Sequence, residues 1–411
     1  MSSVVPGDLI VNKLILVNSN GQLDLTNTFI SASIYESIFT PGIVCDIVVL
    51  DSIDQLGRLK LSGGETIFFN IQTPGGDISS YTFSLNKLSN LISKGSQKSK
   101  QYTLECVSEE ALMDKVNFVQ KSYSALCSEM IVDIHNNYLN SKKPIDVEDT
   151  KSAQIIIIPN KNPYDAIRLI KNRSVSVTNK SSSYVYFETM KDNKQTFIFK
   201  TIEQLFQANT VKQFQQSDAI NHSYKEKNDN NILAYKITNQ FSAIDKIGYG
   251  APTKLTTFNF TTQQFDTDII NVSDTLFSDG GGNTTSISVD LSNRFYNTKI
   301  PPQSYQPVDI SQRPTTFIPG VAPSLSSYIG SIIQNAIKIK VYGDTSLFAG
   351  CMVNCVFPNK NGLTGPATVD PLLSGKFLIT RLHHKIGKIT DSPRYTVVAE
   401  IIKGKYNIGV G

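Results

Sequence analysis

The segment 28–71 constrains the fold of this chain most, because three strand patterns follow one another in it with turn signals between them. Residues 29–38 alternate apolar and polar side chains with the period of two that is typical of a half-buried strand. Residues 43–50 and 67–71 are rich in β-branched and aromatic side chains, as strands are. A Pro-Gly pair separates the first two patterns, and a short helical turn is predicted at 51–57. The segment therefore predicts a β-rich unit near the start of the chain.

The end of the chain has the same character. In residues 336–402, short apolar runs alternate with glycine and proline, which predicts a second β-rich unit that closes the polypeptide. The two regions show no strict residue-by-residue repeat, so the sequence leaves open whether they are duplicates. A leading strand is also predicted at 9–17.

The middle of the chain mixes helical and strand patterns. Ser108 is predicted to cap a helix, because two glutamates follow it in the first turn, where the helix dipole favours acids. Residues 117–124, further along this helical region, fit either a helix or an extended strand. The run 155–158 has the composition of a short buried strand, and a helix is predicted over 164–171, directly after a proline. Two alternating runs within 184–200 flank a short polar turn and predict a β-hairpin.

The composition changes in the region 242–331, which is rich in threonine, asparagine, serine, glycine and proline. Such polar loops are too costly to bury without partners for their backbone groups. We therefore expect an inserted, peripheral domain of strands and long loops. The predicted fold class is a β-rich α+β fold. The predicted domains are a first β unit at 1–107, an α+β domain at 108–206, a second β unit at 207–241 and 332–411, and the inserted domain at 242–331.

Composition and charge exclude several classes of protein. A chain of 411 residues with 40% hydrophobic and 18% charged residues is a folded protein of several domains. Its net charge of +4 gives no support to tight, sequence-independent DNA binding, which requires a concentrated basic patch. No apolar run has the length of about 18 residues that a membrane span needs. The first residues lack a signal-peptide pattern, so synthesis in a cytosol is expected. Five cysteines, an odd number, argue against a disulfide framework.

Two cysteines and two histidines near the end of the chain are the candidates for a metal site. Three residues separate Cys351 from Cys355, and His383 and His384 follow further on. The cysteine spacing is not the usual two-residue spacing of a zinc knuckle. Adjacent histidines on a strand point to opposite faces of a sheet. We therefore expect buried thiols beside an incidental histidine pair, and no metal site.

No catalytic motif is found. A glycine run at 280–282 lacks the strand-to-helix context and the Gly-Lys-Ser/Thr sequence of a phosphate loop. Pairs of carboxylates can be chosen, but with 35 acidic residues any such pair is expected by chance. The pairs considered are Glu36 with Asp46 and Glu65 with Asp77, and the remaining histidines are His135 and His222. Neither histidine lies near a nucleophile motif. The sequence predicts no catalytic, cofactor-binding or metal site, so the chain is not expected to be an enzyme.

The order of several motifs resembles the baseplate hub proteins of contractile-tailed bacteriophages. The resemblance covers nearly the whole chain in order and is weakest over 242–331. The motifs are Tyr35–Ile38, DIVVLDSIDQL at 46–56, GGETIFF at 63–69, YVYFETMKDNKQTFIFKTIEQLF at 184–206, IKIKVYGDTSLFAGCMVNCVFPN at 337–359, LLSGKFLITRLHHKI at 372–386, and YTVVAEII at 395–402.

The resemblance implies that the two β units are antiparallel β-barrels of the tail-tube type. Three copies of the chain would form a ring whose six barrels imitate the sixfold tail tube, with a channel for DNA in transit. The opposite face would seat a trimeric central spike protein, which is expected to be a separate chain because this one stops at Gly411 without a spike-like segment. The channel wall is expected to be polar and only weakly charged.

The remaining partners and the location also follow from the resemblance. They are tail-tube or tube-initiator proteins, and possible further partners are the tape measure protein and the baseplate wedge. The protein would belong to the tail baseplate of the virion, assembled in the host cytoplasm, without membrane insertion. The alternative function is a receptor- or glycan-binding tail protein, which would hold its ligand with polar loops and exposed aromatic residues.

Overall fold

The computed structural model describes the chain in thirteen segments. They are residues 6–51, 61–93, 99–151, 153–179, 182–216, 230–237, 253–259, 264–270, 297–299, 336–359, 368–370, 373–389 and 392–403. The helical turn predicted at 51–57 lies outside these residues except for Asp51, which ends a strand. The glycine run at 280–282 and His222 also lie outside them.

The first part of the chain forms seven strands and a 3₁₀ turn at Thr26–Thr28. The strands are β1 Ile10–Asn18, β2 Gly21–Asp24, β3 Phe29–Ser37, β4 Val44–Asp51, β5 Thr66–Gln72, β6 Ile78–Ser93 and β7 Lys100–Val107. The strands predicted at 9–17, 29–38, 43–50 and 67–71 are thereby confirmed to within one or two residues. Inward-facing side chains of β4 and β5 alternate with outward-facing ones, as the period of two requires.

The middle of the chain is an α+β unit. Its helices are α1 Glu109–Val116, α2 Cys127–Asn137, α3 Pro163–Lys171 and α4 Ile202–Phe206. Its strands are β8 Val119–Ala125, β9 Ile145–Val147, β10 Gln154–Lys161, β11 Tyr184–Lys191 and β12 Lys194–Thr201. The segment whose conformation the sequence left open is therefore extended. Asp192 and Asn193 have φ values of 50° and 60° in the predicted β11–β12 hairpin, as a type I′ turn requires.

Two predictions for this unit need correction. The run 155–158 is not wholly buried: Ile156 and Ile158 are, but Ile155 and Ile157 are 57% and 70% exposed, because β10 pairs only with β8 and only one face of that small sheet is covered. Ser108 precedes α1, but its side chain does not cap that helix. Its hydroxyl is instead hydrogen-bonded to Ile43, the residue before β4, and to Glu188 of β11, as described below.

The last part of the chain adds the second β unit. Its strands are β13 Thr210–Gln215, β14 Ile232–Ile237, β18 Ala336–Tyr342, β19 Met352–Val356, β22 Gly375–Ile389 and β23 Ser392–Ile402. The short pair β20 Pro358–Asn359 and β21 Thr368–Val369 lies beside it in sequence. Within the region 242–331, the described residues form β15 Thr253–Asn259, β16 Gln264–Ile270 and β17 Asn297–Lys299, which make a separate three-stranded sheet.

Most strands belong to one large, mainly antiparallel sheet. Its main path runs β14-β18-β23-β22-β3-β4-β7-β6-β5-β1-β2. The two β units meet where β22 pairs with β3, from Arg381 opposite Ser37 to Gly387 opposite Ser31. One hydrophobic cluster takes side chains from both units, from Leu9 to Ile401, so the two ends of the chain share a core.

The two β units have the same strand order. In the first unit five strands follow one another as β3-β4-β7-β6-β5, and in the second as β14-β18-β23-β22-β19. If the five strands of each unit are numbered 1 to 5 by their position in the sequence, both units have the spatial order 1-2-5-4-3. The sixth strand differs in direction, because β1 is antiparallel to β5 whereas β13 is parallel to β19. We call the five-strand sets the N-terminal repeat and the C-terminal repeat.

β-Bulges occur at equivalent places in the two repeats, which strengthens the case for a duplication. A bulge adds one residue to one strand and fixes the register on either side of it. The register shifts lie between Phe29 and Ser31 and between Leu85 and Lys87 in the N-terminal repeat, and between Ile232 and Ala234 and between Ile379 and Arg381 in the C-terminal repeat. The bulges align Asp46 with Lys338, Glu105 with Glu400, and Lys87 with Arg381.

The α+β unit packs on the sheet through a core of its own and a smaller cluster at the junction. The helices and the β8–β10 pair enclose one apolar cluster with the aromatic side chains of β11 and β12. The junction cluster joins Phe187 and Ile198 of the hairpin to Met352 and Leu378 of the C-terminal repeat. None of the described helices has the length and apolar character that crossing a bilayer would need.

Candidate functional site: the outer face of the large sheet

Eight consecutive strands, from β14 to β6, present one face to the core and one face outward. Four of them belong to each repeat. Because the side-chain period of a strand is two, the register fixes which side chains share the outer face. This outer face is basic on one repeat and acidic on the other, so we treat it as the candidate site.

The half formed by the C-terminal repeat is basic. Six exposed cations form a cluster on it: Lys236, Lys338, Lys340, Arg381, Lys385 and Arg394. Another exposed cation, Lys376, lies at the start of β22, opposite Asn354 of β19. Lys236 is directly opposite Lys338. Within the described parts of these four strands the acidic residue is Glu400, whose carboxylate lies 3.2 Å from the Arg381 guanidinium and 3.9 Å from the Lys338 ammonium. Asp8, just before β1, is directly opposite Arg394. These six cations therefore face two carboxylates among the described residues.

The half formed by the N-terminal repeat is acidic where the other is basic. Asp46 lies directly opposite Glu105, in the position that Lys338 and Glu400 occupy in the C-terminal repeat. Partial burial and the neighbouring Glu105 raise the pKa of Asp46. The Lys87 ammonium lies 3.7 Å from the Glu105 carboxylate, as Arg381 lies beside Glu400.

His383 and Tyr35 lie where the two repeats meet. They are opposite each other on β22 and β3, and their rings stack with centroids 4.2 Å apart. Burial lowers the pKa of His383 to about 4, and the positive charges of Lys385 and His384 contribute to the same shift. The Nε2 atom of His383 is buried without a hydrogen-bond partner among the described residues.

The four residues considered for a metal do not form one site. His384 points to the opposite side of β22 from His383 and is buried, and its Nδ1 atom lies 2.5 Å from the Tyr395 hydroxyl. Cys351 and Cys355 are free, buried thiols, and burial raises the pKa of each to about 12. Among the described residues, no group of three or more histidine, cysteine or acidic side chains could hold a metal ion.

The acidic residues considered for catalysis are separated in the same way. Glu36 is buried and accepts hydrogen bonds from the Thr189 hydroxyl at 2.6 Å and the Ala349 amide at 3.1 Å. Asp46 lies on the opposite, outer side of the sheet. Glu65 accepts from the backbone amide of Ser62 in a tight turn.

The other residues considered for catalysis have ordinary structural settings. Asp77 is exposed, whereas Glu65, with which it was paired, is buried. His135 is buried between the Tyr186 hydroxyl and the Lys143 carbonyl, at 3.0 and 3.1 Å. Burial lowers the pKa of His135, so it stays neutral in the fold at neutral pH.

A buried polar cluster fastens the α+β unit to the sheet. The Lys143 ammonium lies 2.7 Å from the carboxylates of both Glu188 and Glu110. Glu188 also accepts hydrogen bonds from the Ser108 hydroxyl and, at 3.2 Å, from the amide of Ile43, the residue before β4. Burial raises the pKa of Glu188, and the two carboxylates outweigh burial in raising the pKa of Lys143. Because these charges satisfy one another, the cluster is structural.

Sequence reasoning missed the charged face, although part of its signal was present. Lys338 and Lys340 alternate with isoleucine along one strand, and Arg381 and Lys385 recur at even spacing along another. Each pattern alone predicts only a half-exposed strand. The cations become one patch only when β18, β23 and β22 are known to be neighbours.

Comparison with known proteins supports the fold. No protein-family model matches the sequence, and no curated protein sequence is found to be similar. The structure is similar to the tail protein from Neisseria meningitidis MC58, with a TM-score of 0.58 and 10% identity, over 96% of this chain and 97% of that one. It is also similar to the 43 kDa tail protein of prophage MuSo2 from Shewanella oneidensis, with a TM-score of 0.57 and 10% identity, over 95% and 98% of the two chains.

A third structure, a component of the type VI secretion system of E. coli, aligns with 96% of this chain and 76% of its own at 9% identity. Its TM-score of 0.47 is too low to establish a common fold. The first two likenesses extend over nearly the whole length of each chain. The resemblance to phage tail proteins stated from the sequence is thus confirmed, and this chain has the fold of phage tail proteins.

Proposed function

We propose that the protein is a structural component of a phage tail: a homotrimeric baseplate hub that joins the sixfold tail tube to the threefold central spike and leaves a channel for DNA. The observation that carries this proposal is the duplicated strand order within a chain that has, over its whole length, the fold of tail proteins. In this proposal each repeat is one tube-type β-barrel.

The contact between the two repeats suggests how copies of the chain associate. Within one chain, β22 of the C-terminal repeat pairs with β3 of the N-terminal repeat. In the shared strand order, β6 is the equivalent of β22 and β14 is the equivalent of β3. If the same contact is used again, β6 of one copy pairs with β14 of the next.

Both edges needed for that contact are open among the described residues. The last half of β6 has β7 on one side and, among the described residues, no strand on the other. Likewise β14 has β18 on one side, and its other side is open except for a single bridge at the preceding residue, Asn231. Unpaired edges invite association with other chains. A head-to-tail contact closes into a ring when the rotation between copies divides a full turn, and a ring of three chains presents six similar units.

The domain boundaries and partners belong to the same proposal. The barrels comprise 1–107 and 207–241 with 332–411, the α+β domain 108–206, and the peripheral insert 242–331. One side of the ring would contact the tail tube or its initiator, and the other the spike. The tape measure protein and the baseplate wedge are further candidate partners. No catalytic step is part of this function.

The first test is the mass of the purified chain, alone and with a tail-tube protein, by native mass spectrometry. We expect three copies per complex. A chain that stays monomeric under both conditions, or a ring of six copies, contradicts the proposal. Cryo-electron microscopy of the particle then shows whether the ring lies between tube and spike.

A cross-linking experiment tests the contact itself. Lys87 and Lys236 lie on β6 and β14, at opposite ends of the eight-strand run in one chain. If β6 of one copy pairs with β14 of the next, Lys87 of one copy and Lys236 of the other would be offset by four residues along the paired strands, a distance of about 14 Å. A mixture of isotopically light and heavy chains should therefore give a Lys87–Lys236 link between light and heavy copies. Links confined to one chain, in a sample whose mass is trimeric, would exclude this contact.

A further inference from the structure

We propose that the outer face of the C-terminal repeat binds double-stranded DNA through its phosphates. The surface, which we call the basic face, consists of the six cations on β14, β18, β23 and β22 named above. The proposal goes beyond the hub function, in which DNA only passes through a channel.

The cations are close enough together to act as one patch. Adjacent strands lie about 4.8 Å apart, and side chains two residues apart on a strand lie about 6.7 Å apart. The basic face therefore measures roughly 15 Å by 20 Å. Charges at these separations lie within or near a Debye length of about 8–10 Å, so they reinforce one another. The whole chain carries only +4 because acidic residues elsewhere balance this face.

Most of these cations remain available to a ligand. Lys236, Lys340 and Lys385 are exposed and form no ion pair among the described residues. Of the two nearby acids, Glu400 lies beside Lys338 and Arg381, and Asp8 is opposite Arg394, so neither is paired with these three lysines. The lowered pKa of His383, to which Lys385 contributes, is consistent with a positive potential at this surface.

The composition of the basic face favours a nucleic acid over a protein. Protein interfaces are depleted in lysine and have an apolar centre. Four of the six cations are lysines. The exposed apolar residues Tyr35, Val44 and Leu50 lie on the N-terminal repeat, and Leu233 lies on β14, at the edge of the C-terminal repeat and not at the centre of the basic face. Phosphate contacts from Lys and Arg provide most of the affinity of sequence-independent DNA binding.

The scarcity of aromatic side chains favours a duplex over a single strand. Proteins that bind single strands stack successive bases on several aromatic rings. The exposed ring next to the basic face is Tyr35, and one side of it is already covered by His383. A cluster of cations without stacking platforms suits the phosphates of a duplex.

The test compares two triple variants with the same net charge. Lys236→Glu, Lys340→Glu and Lys385→Glu together reverse the unpaired lysines of the basic face. Lys142→Glu, Lys151→Glu and Lys161→Glu reverse three exposed lysines of the α+β unit and serve as the control. Binding of a fluorescent 30-base-pair duplex of random sequence is measured by anisotropy from 50 to 200 mM salt. Native mass spectrometry confirms the same oligomeric state for each protein.

We expect the wild-type chain to bind the duplex with an affinity that falls with salt. In the basic-face variant, loss of three phosphate contacts should make the plot of log affinity against log salt less steep by about 2.7, since each contact contributes about 0.9 to the steepness. The control should keep the wild-type slope. Absence of wild-type binding, equal losses in both variants, or tighter binding of a single strand of equal length would each overturn the proposal.

A poly-glutamate probe separates DNA from an acidic protein partner. Binding of poly-glutamate without binding of the duplex would mean that the basic face receives an acidic protein, and the proposal would be wrong. Native mass spectrometry measures the number of chains per complex independently of DNA binding. A trimer that does not bind DNA therefore refutes this inference alone, and a DNA-binding monomer refutes only the hub.

Discussion

The two repeats have one architecture and two different surfaces. Strand order, bulge positions and an ion pair on the outer face recur in both, with Lys87 and Glu105 in one and Arg381 and Glu400 in the other. Yet the N-terminal repeat has Asp46 where the C-terminal repeat has Lys338. The side chains that face the core are constrained by packing, whereas the outward positions have been free to diverge.

The repeats also differ in what covers their edges. The last half of β22 is covered by β3, whereas the last half of β6, its equivalent, has no neighbour on that side among the described residues. The difference matches burial: Leu382 of β22 is 1% exposed, and Leu88 at the equivalent position of β6 is only partly buried. The pairing of β22 with β3 within one chain therefore shows the kind of contact that β6 would make with another copy.

The largest expected effect comes from truncating these two equivalent leucines. Leu382→Ala leaves a cavity in the shared core and should lower the free energy of unfolding by about 2–5 kcal/mol. Leu88→Ala should cost about 1–2 kcal/mol in the isolated chain, because part of that side chain already contacts water. Urea unfolding at a concentration where the chain is monomeric measures both.

The two leucines should also differ in their effect on association between copies. If β14 of another copy covers β6, Leu88→Ala should also weaken association, whereas Leu382→Ala should leave the contact unchanged in those chains that fold. Sedimentation over a range of concentrations measures this. Equal losses of unfolding free energy in the two monomeric variants would mean that the edges of β6 and β22 are equally covered, against the structure.

The sequence predicted the elements better than their arrangement. Alternation in 29–38 and the turn between β11 and β12 specify strands locally, because the pleat and positive φ values act on neighbouring residues. Pairing of β22 with β3 joins segments far apart in the chain, and no local pattern specifies it. Bulges conceal the shared strand order further, because the inserted residues shift the alternation within each strand.

The charged face was hidden for the same reason. A lysine on an alternating strand predicts only an exposed position, and a total of +4 predicts no patch. The role of Ser108 was also not predictable, because its partner Glu188 comes from a distant strand. Local capping rules assume that no tertiary partner competes for the hydroxyl.

The next effect concerns pH and the boundary between the repeats. The pKa of His383 is about 4 in the fold, below its ordinary value of about 6.5. As pH falls through this interval, the unfolded chain takes up a proton before the folded chain does, so stability decreases with acidification. We expect a loss on the order of 1–2 kcal/mol between pH 7 and 4, less than the full shift because the ring is only half-buried.

A matched variant isolates this contribution from other titrating groups such as His135. His383→Phe keeps a ring stacked on Tyr35 and removes the titration, so the difference between variant and wild type should grow as pH falls. Lys385→Glu should raise the pKa of His383, read by NMR, because a cation next to it becomes an anion. An unchanged pKa in that variant would mean that the basic face exerts no field on the boundary.

The smallest effect comes from exchanging charge between equivalent positions. Asp46→Lys replaces a like-charge neighbour of Glu105 by an opposite charge and should stabilise the fold by about 0.2–1 kcal/mol. Lys338→Asp creates the reverse situation beside Glu400 and should destabilise by a similar amount. Asp46→Asn removes the repulsion without adding an attraction and should fall between wild type and Asp46→Lys. Both effects should shrink in 1 M salt, where the Debye length is about 3 Å. Shifts of the same sign in the two exchanges, or shifts unaffected by salt, would show that packing and not charge distinguishes the outer faces of the two repeats.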